Sequence, residues 1–578
     1  MESLPVWARQ LTEKYYSGAF SMFILHGNIH DLVPHDTGQP MSRDARRQFA
    51  LPLGKYLESA MFGQREIVLS YDRGGGITFA TPDVQKDFAN ALRGYDSFHG
   101  TNFAQALPRN PDGVLNILDN YLRLRVHDGK KIAVIINYAE TIAPAGDTGG
   151  MNADDRNAAV ILQRWAHSPH FLKADVTIVL VTESAIELNQ DLVQHPGVAG
   201  IAIPLPDRDE RAAFIAAQLE ESPLPAGSDV TAEALAGLTS GLKRIQLQSL
   251  LLHAARNRQA LTVKYLSARK KEMIEAEAAG MLEFVESKYN LAMVAGSAAA
   301  KQKLQDAAAL IKQGRTDSLP MGYVIAGPVG TGKTFLTTCF AGDVGIPTVI
   351  LKNFRSMWQG QTEGNLERLL ALLKAMSPIV VIVDEADAQL GDRSSSGDSG
   401  VNNRVFAQIA QFMGNTEYRG KVLWFLLTCR PDLLPVDLKR QGRAEEHLAL
   451  FYPESDEDRL AMFRAMQKKT STKFDPPESS EKLFVEHASR LSGADIEAIL
   501  VRSKMRAQLA SRATPDADDL RAVIEDFIPA SYPAEIELQN LVAVLECTSK
   551  SLLPERYRRA DRAEIAAKVQ QLKMLLGD

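Results

Sequence analysis

Short apolar runs separated by helical patterns follow the same order twice along the chain. In the first half they lie at residues 23–27, 66–71, 131–137, 176–182 and 200–204, and in the second half at residues 322–327, 346–351, 379–384, 422–428 and 447–452. Because the runs are β-branched and continuous, they predict parallel strands buried on both faces of a sheet. The sequence therefore predicts two α/β modules, each a five-stranded parallel sheet flanked by helices and followed by a small helical lid.

Matching positions in the two halves are separated by nearly equal distances. Asn137 and Asp384 each end a predicted strand, and they stand 247 residues apart. The acidic segments that begin at Pro206 and Pro453 are separated by the same number of residues. Gly241 and Gly493 are 252 residues apart, and three nearly equal spacings are typical of an internal duplication.

The predicted organisation has six parts. The boundaries are 1–206 for the first α/β core, 207–266 for its lid, 267–320 for a helical connector and the entry to the second module, 321–453 for the second α/β core, 454–530 for its lid and 531–578 for a C-terminal helical extension. A chain of 578 residues is long enough for about four domain-sized units.

Composition narrows the class of protein. Hydrophobic residues make up 45% of the chain and charged residues 24%, as in ordinary globular proteins. The net charge of −6 provides no overall positive field for nucleic acid. Cys339, Cys429 and Cys547 are far apart, without the spacing of a metal or redox site. With no signal-peptide pattern and no apolar run of membrane-spanning length, we expect a cytoplasmic protein without a membrane segment.

The strongest chemical motif is a glycine-rich loop directly after a predicted strand. Residues 327–334 read Gly-Pro-Val-Gly-Thr-Gly-Lys-Thr, the phosphate-binding loop (Walker A) of an NTPase. Its backbone N–H groups face phosphate oxygens, Lys333 reaches the β- and γ-phosphates, and the Thr334 hydroxyl ligates Mg²⁺. The predicted ATP/ADP contacts are Gly327, Pro328, Val329, Gly330, Thr331, Gly332, Lys333 and Thr334.

Paired acids end the most apolar predicted strand, 50 residues after the loop. Asp384 and Glu385 follow the run at residues 379–383. An acid at the carboxyl end of such a strand lies beside the phosphate loop and can hold Mg²⁺. The adjacent Glu385 is then placed to act as the general base for the attacking water (Walker B).

The first half lacks these groups. Its first strand leads into residues 26–33, which contain no lysine, and residues 137–140 read Asn-Tyr-Ala-Glu in place of the paired acids. We interpret its histidines, among them His26, His30 and His35, as polar loop residues rather than metal ligands, and residues 74–76 as a turn. The first module is predicted to be a structural copy without catalysis.

Residues 426–443 contain Thr-Cys-Arg-Pro-Asp and end in Arg-Gln-Gly-Arg, and the segment resembles the AAA ATPases. The turn at residues 491–496 is similar to the second sensor of that family, which implies that Gly493 and Ala494 lie near the adenosine. The resemblance covers the second half from about residue 296 and, more weakly, the first half. It implies two tandem P-loop NTPase (AAA) modules, with a degenerate first one.

The resemblance also implies that Arg440 and Arg443 are arginine fingers. A finger supplied by a neighbouring subunit makes activity depend on a ring, which in this family implies a homo-oligomer, with six subunits expected. The alternative is that both arginines are surface residues at a helix end. Residues 194–198, at the matching place in the first module, contain no arginine.

One position departs from the family pattern. The first sensor is usually a polar residue such as Asn that orients the attacking water, and Cys429 occupies this position. A thiol is a weak hydrogen-bond donor. Thr428 is the alternative, although its side chain should point to the other face of the sheet. We therefore expect that hydrolysis can be slow.

Three further segments bear on the substrate, the narrower family resemblance and the surface charge. Met357 and Trp358 resemble the first pore loop of AAA translocases, in which an aromatic residue grips an extended polypeptide; the alternative is that Trp358 packs locally. Residues 394–406 resemble AAA proteins encoded as a hypothetical reading frame in chloroplasts, cyanobacteria and other bacteria, which also carry a degenerate first module. The basic cluster at residues 556–559 is interpreted as a solvated helix face.

The leading hypothesis is an ATP-hydrolysing, Mg²⁺-dependent AAA ring with chaperone-like action, which remodels or threads a protein substrate. One alternative is a scaffold whose assembly is controlled by nucleotide binding with slow turnover, which Cys429 favours. A DNA-acting motor is disfavoured by the acidic balance of the chain and by the lack of an evident basic stripe.

Overall fold

The computed structural model describes residues 4–35, 49–146, 151–228, 230–278, 280–352, 362–390, 399–487, 491–529 and 532–577. Two compact units are present. The first comprises Met1–Ile274 with Gln361–Ala375, and the second comprises Glu275–Gly360 with Met376–Asp578. Each unit contains one six-stranded sheet.

The strands of the first unit are β1 Met22–Gly27, β2 Leu32–Pro34, β3 Ala50–Pro52, β4 Ile67–Asp72, β5 Gly76–Phe79, β6 Ile132–Asn137, β7 Val176–Thr182 and β8 Val198–Ile203. Those of the second unit are β9 Leu282–Phe284, β10 Gly322–Ala326, β11 Thr348–Leu351, β12 Ile379–Val383, β13 Val422–Thr428 and β14 Glu446–Ala449. Strands β2 and β3 form a separate two-stranded sheet.

The five parallel strands of the two large sheets follow the same order, whereas the edge strand comes after the second parallel strand of the chain in the first sheet and before the first parallel strand in the second. Their orders are β5-β4-β6-β7-β1-β8 and β9-β11-β12-β13-β10-β14. In both sheets five strands are parallel, as predicted, and a sixth strand that the sequence did not predict pairs antiparallel at one edge. The edge strands β5 and β9 are four and three residues long, too short to give a clear periodic pattern. The matching strand order agrees with the predicted duplication.

The helices of the first part of the chain are α1 Val6–Tyr16, α2 Leu53–Lys55, α3 Pro82–His99, α4 Pro111–His127, α5 Ala153–Ala166, α6 Pro169–Lys173, α7 Gln190–Val193, α8 Arg208–Glu221, α9 Ala232–Leu238, α10 Arg244–Asn257 and α11 Val263–Glu277. A π-helix at Tyr56–Met61 continues α2.

The later helices are α12 Ala298–Lys312, α13 Lys333–Val344, α14 Thr362–Ala375, α15 Ala386–Leu390, α16 Ser399–Met413, α17 Val436–Lys439, α18 Asp456–Thr470, α19 Pro477–His487, α20 Gly493–Leu509, α21 Ala517–Asp526, α22 Pro533–Glu546, α23 Glu555–Arg558 and α24 Arg562–Leu576.

Both faces of the first sheet are buried, which explains why its strands are continuously apolar. Along β6, Val134 and Ile136 belong to the hydrophobic cluster on one face, and Ala133 and Ile135 belong to the cluster on the other. Successive side chains point to opposite faces of a strand, so a strand between two layers of helices needs apolar residues at every position. Each fully buried Ile or Val contributes roughly 1.5–3 kcal/mol of transfer free energy.

Within residues 267–320, which the sequence predicts to be a helical connector and the entry to the second module, residues 282–284 are extended rather than helical. These residues form β9, which pairs with β11 through Leu282 and Leu351 at one end of the register. Strand β9 thereby supplies the sixth strand of the second sheet. A three-residue strand is stabilised by pairing with a distant strand rather than by its own sequence, so the Ala-, Lys- and Glu-rich composition on both sides masked it.

Helix α14 falls in the first unit, although the predicted boundaries 321–453 place it in the second core. Its side chains contact the two residues that follow β7: Arg368 forms an ion pair with Glu183, and Ser184 Oγ donates a hydrogen bond of 2.6 Å to Glu367. These polar contacts join residues about 180 positions apart in sequence, so the local pattern could not predict them.

Among the described residues, no helix combines the length and apolar character that crossing a membrane would require.

Candidate functional site

The phosphate loop joins β10 to α13 in the second unit. Gly327 and Gly330 have φ values of +153° and +81°, which disfavour residues with a Cβ atom. A Cβ on Gly330 would lie 2.8 Å from the Ser492 side chain, and one on Gly327 would lie 2.3 Å from the Leu450 carbonyl oxygen. Glycine is therefore required at both positions by backbone conformation and by close packing. Helix α13 begins at Lys333, so its positive N-terminal end faces the loop.

The Lys333 ammonium lies inside the loop. Its Nζ donates to the carbonyl oxygens of Gly327 at 2.8 Å and Pro328 at 3.0 Å, and it also contacts Cys429 Sγ at 3.1 Å. The Lys333 ammonium is bound here by neutral acceptors. It can exchange them for phosphate oxygens at little electrostatic cost, because a charged phosphate is a stronger hydrogen-bond acceptor than a carbonyl group.

A hydroxyl and a carboxylate are paired at the predicted metal position. Thr334 Oγ1 donates to Asp384 Oδ2 at 2.8 Å, and Gln389 Nε2 donates to the Asp384 main-chain oxygen at 2.7 Å. Thr334 is exposed and Asp384 half-buried. Oxygen ligands of this kind, next to a cradle of N–H groups, fit ATP with Mg²⁺, which takes one or two protein oxygens together with phosphate oxygens and water.

Glu385 lies next to this pair in an unusual backbone conformation. Its φ is +47°, its N–H donates to Asp384 Oδ1 at 2.9 Å, and its side chain is exposed. Tyr138 follows the matching strand of the first unit and has a φ of +52°. The residue at this position thus has a left-handed backbone conformation in both units, and it carries a carboxylate in the second.

The structure separates the two candidates for the first sensor. Cys429 contacts Lys333, as described above. Thr428 is buried, and its hydroxyl donates to Asp387 Oδ1 at 2.7 Å while accepting from the Arg430 N–H at 2.9 Å. The Thr428 hydroxyl is therefore engaged by α15 and its own strand end, and Cys429 is the side chain beside the phosphate loop.

The lid turn reaches the loop. The Gly493 N–H donates to the Gly330 oxygen at 3.2 Å, and the Ala494 Cβ lies 4.0 Å from the place where a Cβ on Gly330 would stand. Ser492 starts α20 with a capping box closed by Asp495. Gly493, one of the two lid residues predicted to lie near the nucleotide, is thus hydrogen-bonded to the phosphate loop, and Ala494 follows it in α20.

Two residues that the sequence analysis did not single out also hold the loop. Gln539 Oε1 of α22 accepts from the Val329 N–H at 3.1 Å, and the Tyr452 hydroxyl donates to the Val329 oxygen at 2.7 Å. Burial raises the pKa of Tyr452 to about 12, so the hydroxyl keeps its proton at neutral pH. The adjacent polar residues Gln539 and Asn540 within an apolar helix were the available signal.

The two predicted arginine fingers differ in exposure. The Arg440 side chain is 58% exposed and forms a 3.2 Å ion pair with Asp437. The Arg443 side chain is 12% exposed, and its Nη1 donates to the Asp437 main-chain oxygen at 2.8 Å. Burial and the nearby Arg440 lower the pKa of the Arg443 guanidinium. Met357 and Trp358, the predicted pore-loop residues, lie outside the described residues.

The first unit has a carboxylate where the second has a phosphate loop. His26 and Ala326 occupy matching registers on β1 and β10. After β1, the buried Asp31 accepts from Asn28 Nδ2 and from the Ile245 N–H, both at 2.9 Å. An acidic side chain of the core thus binds the start of lid helix α10, a place where an anion is favoured by the helix dipole.

Other polar groups at this edge are also paired. His30 lies 2.8 Å from Glu183 and, with Arg368, lowers the pKa of that carboxyl. Gly74 and Gly75 form the predicted turn, and Asp72 accepts their N–H groups. His35 packs edge-on against Tyr56.

Comparisons with known families agree with this duplicated architecture. Residues 1–204 match the model of the "AAA+ chaperone, N-terminal Rossmann-like domain", and residues 209–279 match that of the "AAA+ chaperone, second helical domain". Residues 323–452, which contain the phosphate loop and the acids, match the model of the "ATPase family associated with various cellular activities (AAA)".

Individual relatives cover part of the chain. A cell division cycle protein 48 homolog of Archaeoglobus fulgidus is 27% identical over 58% of this chain, and the match spans 49% of that relative. The uncharacterized AAA domain-containing protein ycf46 of Pyropia yezoensis is 27% identical over 39% of this chain and 45% of its own length. The human peroxisomal ATPase PEX6 is 30% identical over 36% of this chain and 22% of its own length. The chain thus spans half or less of the length of these relatives.

Proposed function

The chain belongs to the AAA ATPases and resembles the ycf46-type proteins, and we propose that it hydrolyses ATP with Mg²⁺ in its second unit to remodel or thread a protein within a homo-oligomeric ring. The observation that carries this proposal is the 2.8 Å hydrogen bond between Thr334 and Asp384, next to the exposed Glu385. A metal ligand pair, a base and a lysine-bearing loop then lie at one edge of the sheet.

Each side chain has a distinct role in this proposal. The loop N–H groups and Lys333 bind and orient the phosphates, and Thr334 and Asp384 hold the metal ion. The bound Mg²⁺ would neutralise charge on the transferred phosphoryl group. Glu385 orients a water molecule and accepts its proton. Arg440 and Arg443 act on the neighbouring subunit's site, and Met357 and Trp358 contact the protein substrate.

A second candidate function is a nucleotide-controlled scaffold with slow turnover. The observation that favours it is the 3.1 Å contact between Cys429 and Lys333, because the thiol occupies the position from which an amide would orient the attacking water. In this case ATP binding would control assembly, and hydrolysis would only reset it.

One experiment separates the two candidates. ATPase rate and oligomer size are measured together, with and without ATP, for the wild type and for Lys333→Ala. We expect ATP-dependent assembly by the wild type, with turnover in the range of about 1–10³ s⁻¹ for a motor and far below it for a scaffold. Lys333→Ala should lose ATP binding. If this variant bound ATP with unchanged affinity, the assignment of the site would be wrong.

A further inference from the structure

The C-terminal extension reaches the phosphate loop at Val329. This residue is 63% exposed, whereas Gln539, which contacts it from α22, is only 4% exposed. Helix α22 is itself fixed at its other end: Lys439 Nζ donates to Glu546 Oε1 at 2.6 Å, and the His447 ring lies 2.8 Å from the Glu546 oxygen. A rigid helix therefore presents one buried amide to the tip of the loop.

Both peptide units next to Val329 are held by side chains from outside the loop. Gln539 accepts the Val329 N–H at 3.1 Å, and Tyr452 donates to the Val329 carbonyl at 2.7 Å. In a trans peptide unit the C=O and the following N–H point in opposite directions. Fixing one group of a unit therefore fixes the other.

This geometry sets the direction of two groups of the phosphate loop, the Pro328 carbonyl and the Gly330 N–H. The unit that contains the Val329 N–H also contains the Pro328 carbonyl, which accepts from Lys333 Nζ at 3.0 Å. The unit that contains the Val329 carbonyl also contains the Gly330 N–H. Because Gly330 has a φ of +81° and no Cβ, its peptide groups would rotate readily without such restraints.

We propose that Gln539 and Tyr452 are positioning residues of the nucleotide site, so that the C-terminal extension is a working part of the ATP-binding unit. This inference rests on the proposed function. Both residues keep the loop in the conformation that accepts phosphates, and neither has to touch the nucleotide. Helix α22 lies beyond residues 323–452, the segment that matches the AAA model.

The test compares binding of a non-hydrolysable ATP analogue and thermal unfolding, with and without that analogue. The variants are Gln539→Met, which keeps the volume but loses the amide oxygen, and Tyr452→Phe, which loses only the hydroxyl. Glu537→Gln on the same helix is the matched control, since Glu537 instead pairs with Lys568. Lys333→Ala is the reference for a variant that no longer binds the nucleotide.

Each single variant should bind the analogue about three- to tenfold more weakly, the range expected for one hydrogen bond. The double variant should be weaker than either single variant but by less than the product, because both groups hold the same residue. Unfolding temperatures without the analogue should stay near that of Glu537→Gln, and the upward shift caused by the analogue should shrink.

Two results would overturn the inference. The first is affinity within twofold of the wild type in both variants while Lys333→Ala fails to bind. The second is a lower unfolding temperature with an unchanged analogue-induced shift, which indicates a purely structural role. If the wild type itself failed to bind the analogue, the proposed function would be wrong, independently of this inference.

Discussion

At the residue scale, a left-handed backbone conformation marks the position of the candidate base. Glu385 has a φ of +47°, which costs a residue with a Cβ roughly 1–2 kcal/mol relative to the right-handed region. Its N–H contact with Asp384 offsets part of this cost. The conformation turns the chain sharply after β12 and leaves the Glu385 carboxylate exposed beside the Thr334–Asp384 pair. Tyr138 adopts the same conformation without a carboxylate.

Glu385→Gln should slow ATP turnover by about 10²–10⁴, since an amide cannot accept the proton of the attacking water. ATP affinity should stay close to that of the wild type, because the Thr334–Asp384 pair and the phosphate loop are intact. Steady-state ATPase measurement and equilibrium ATP binding check both parts. Glu417→Gln, at an exposed position of the same unit, is the control. Undiminished turnover in Glu385→Gln would remove Glu385 from the mechanism.

At the element scale, helix α11 places a lysine in the interior of the first unit. Lys270 is 9% exposed, and burial lowers its pKa to about 8, with a smaller contribution from Arg211. The folded state therefore binds this proton less tightly than the unfolded state does. The resulting penalty is present in full below pH 8 and disappears as the pH rises toward the ordinary lysine pKa of 10.5.

Lys270→Met should stabilise the first unit at pH 7 by up to about 3 kcal/mol, because it removes a buried charge and keeps the chain length. The difference from the wild type should narrow as the pH rises from 8 toward 10. Chemical denaturation at several pH values measures it. Lys264→Met, at an exposed position of the same helix, should show no such trend. Destabilisation at pH 7 would mean that Lys270 makes a favourable charged contact.

At the scale of the whole molecule, the proposed ring predicts that each active site is shared between two chains. Within one chain, Arg440 is exposed and pairs with Asp437, whereas Arg443 is largely buried. An exposed guanidinium can exchange a solvent-screened ion pair for a phosphate at low cost. Of the two proposed fingers, Arg440 is therefore the better placed to reach a neighbouring site, whereas the Arg443 guanidinium donates to the Asp437 main-chain oxygen of its own chain.

Arg440→Ala should lose turnover by about 10³ or more while it keeps ATP binding. Mixing it with an equal amount of Lys333→Ala should restore activity at about a quarter of the sites. These are the sites where the loop of an Arg440→Ala subunit, which still has Lys333, lies next to a Lys333→Ala subunit, which still has Arg440. ATPase assays of the mixture and of each variant alone measure this. If mixing restored nothing although mixed oligomers formed, the site would be complete within one chain.

Local patterns in the sequence predicted much of this architecture. Continuous apolar runs predicted the parallel strands, since burial on both faces imposes hydrophobic residues at every position. The glycine spacing of residues 327–334 and the acids after β12 predicted the edge at which Lys333, Thr334 and Asp384 meet. Their nearness follows from topology, because the carboxyl ends of adjacent parallel strands share one edge.

Only the tertiary structure decided the contacts that join distant segments. Val329 and Gln539 are 210 residues apart, and nothing in either local pattern indicates their hydrogen bond. The same holds for strand β9, whose three residues become a strand only by pairing with β11. A backbone preference is set by neighbouring residues, whereas a side-chain contact depends on where two rigid elements are packed.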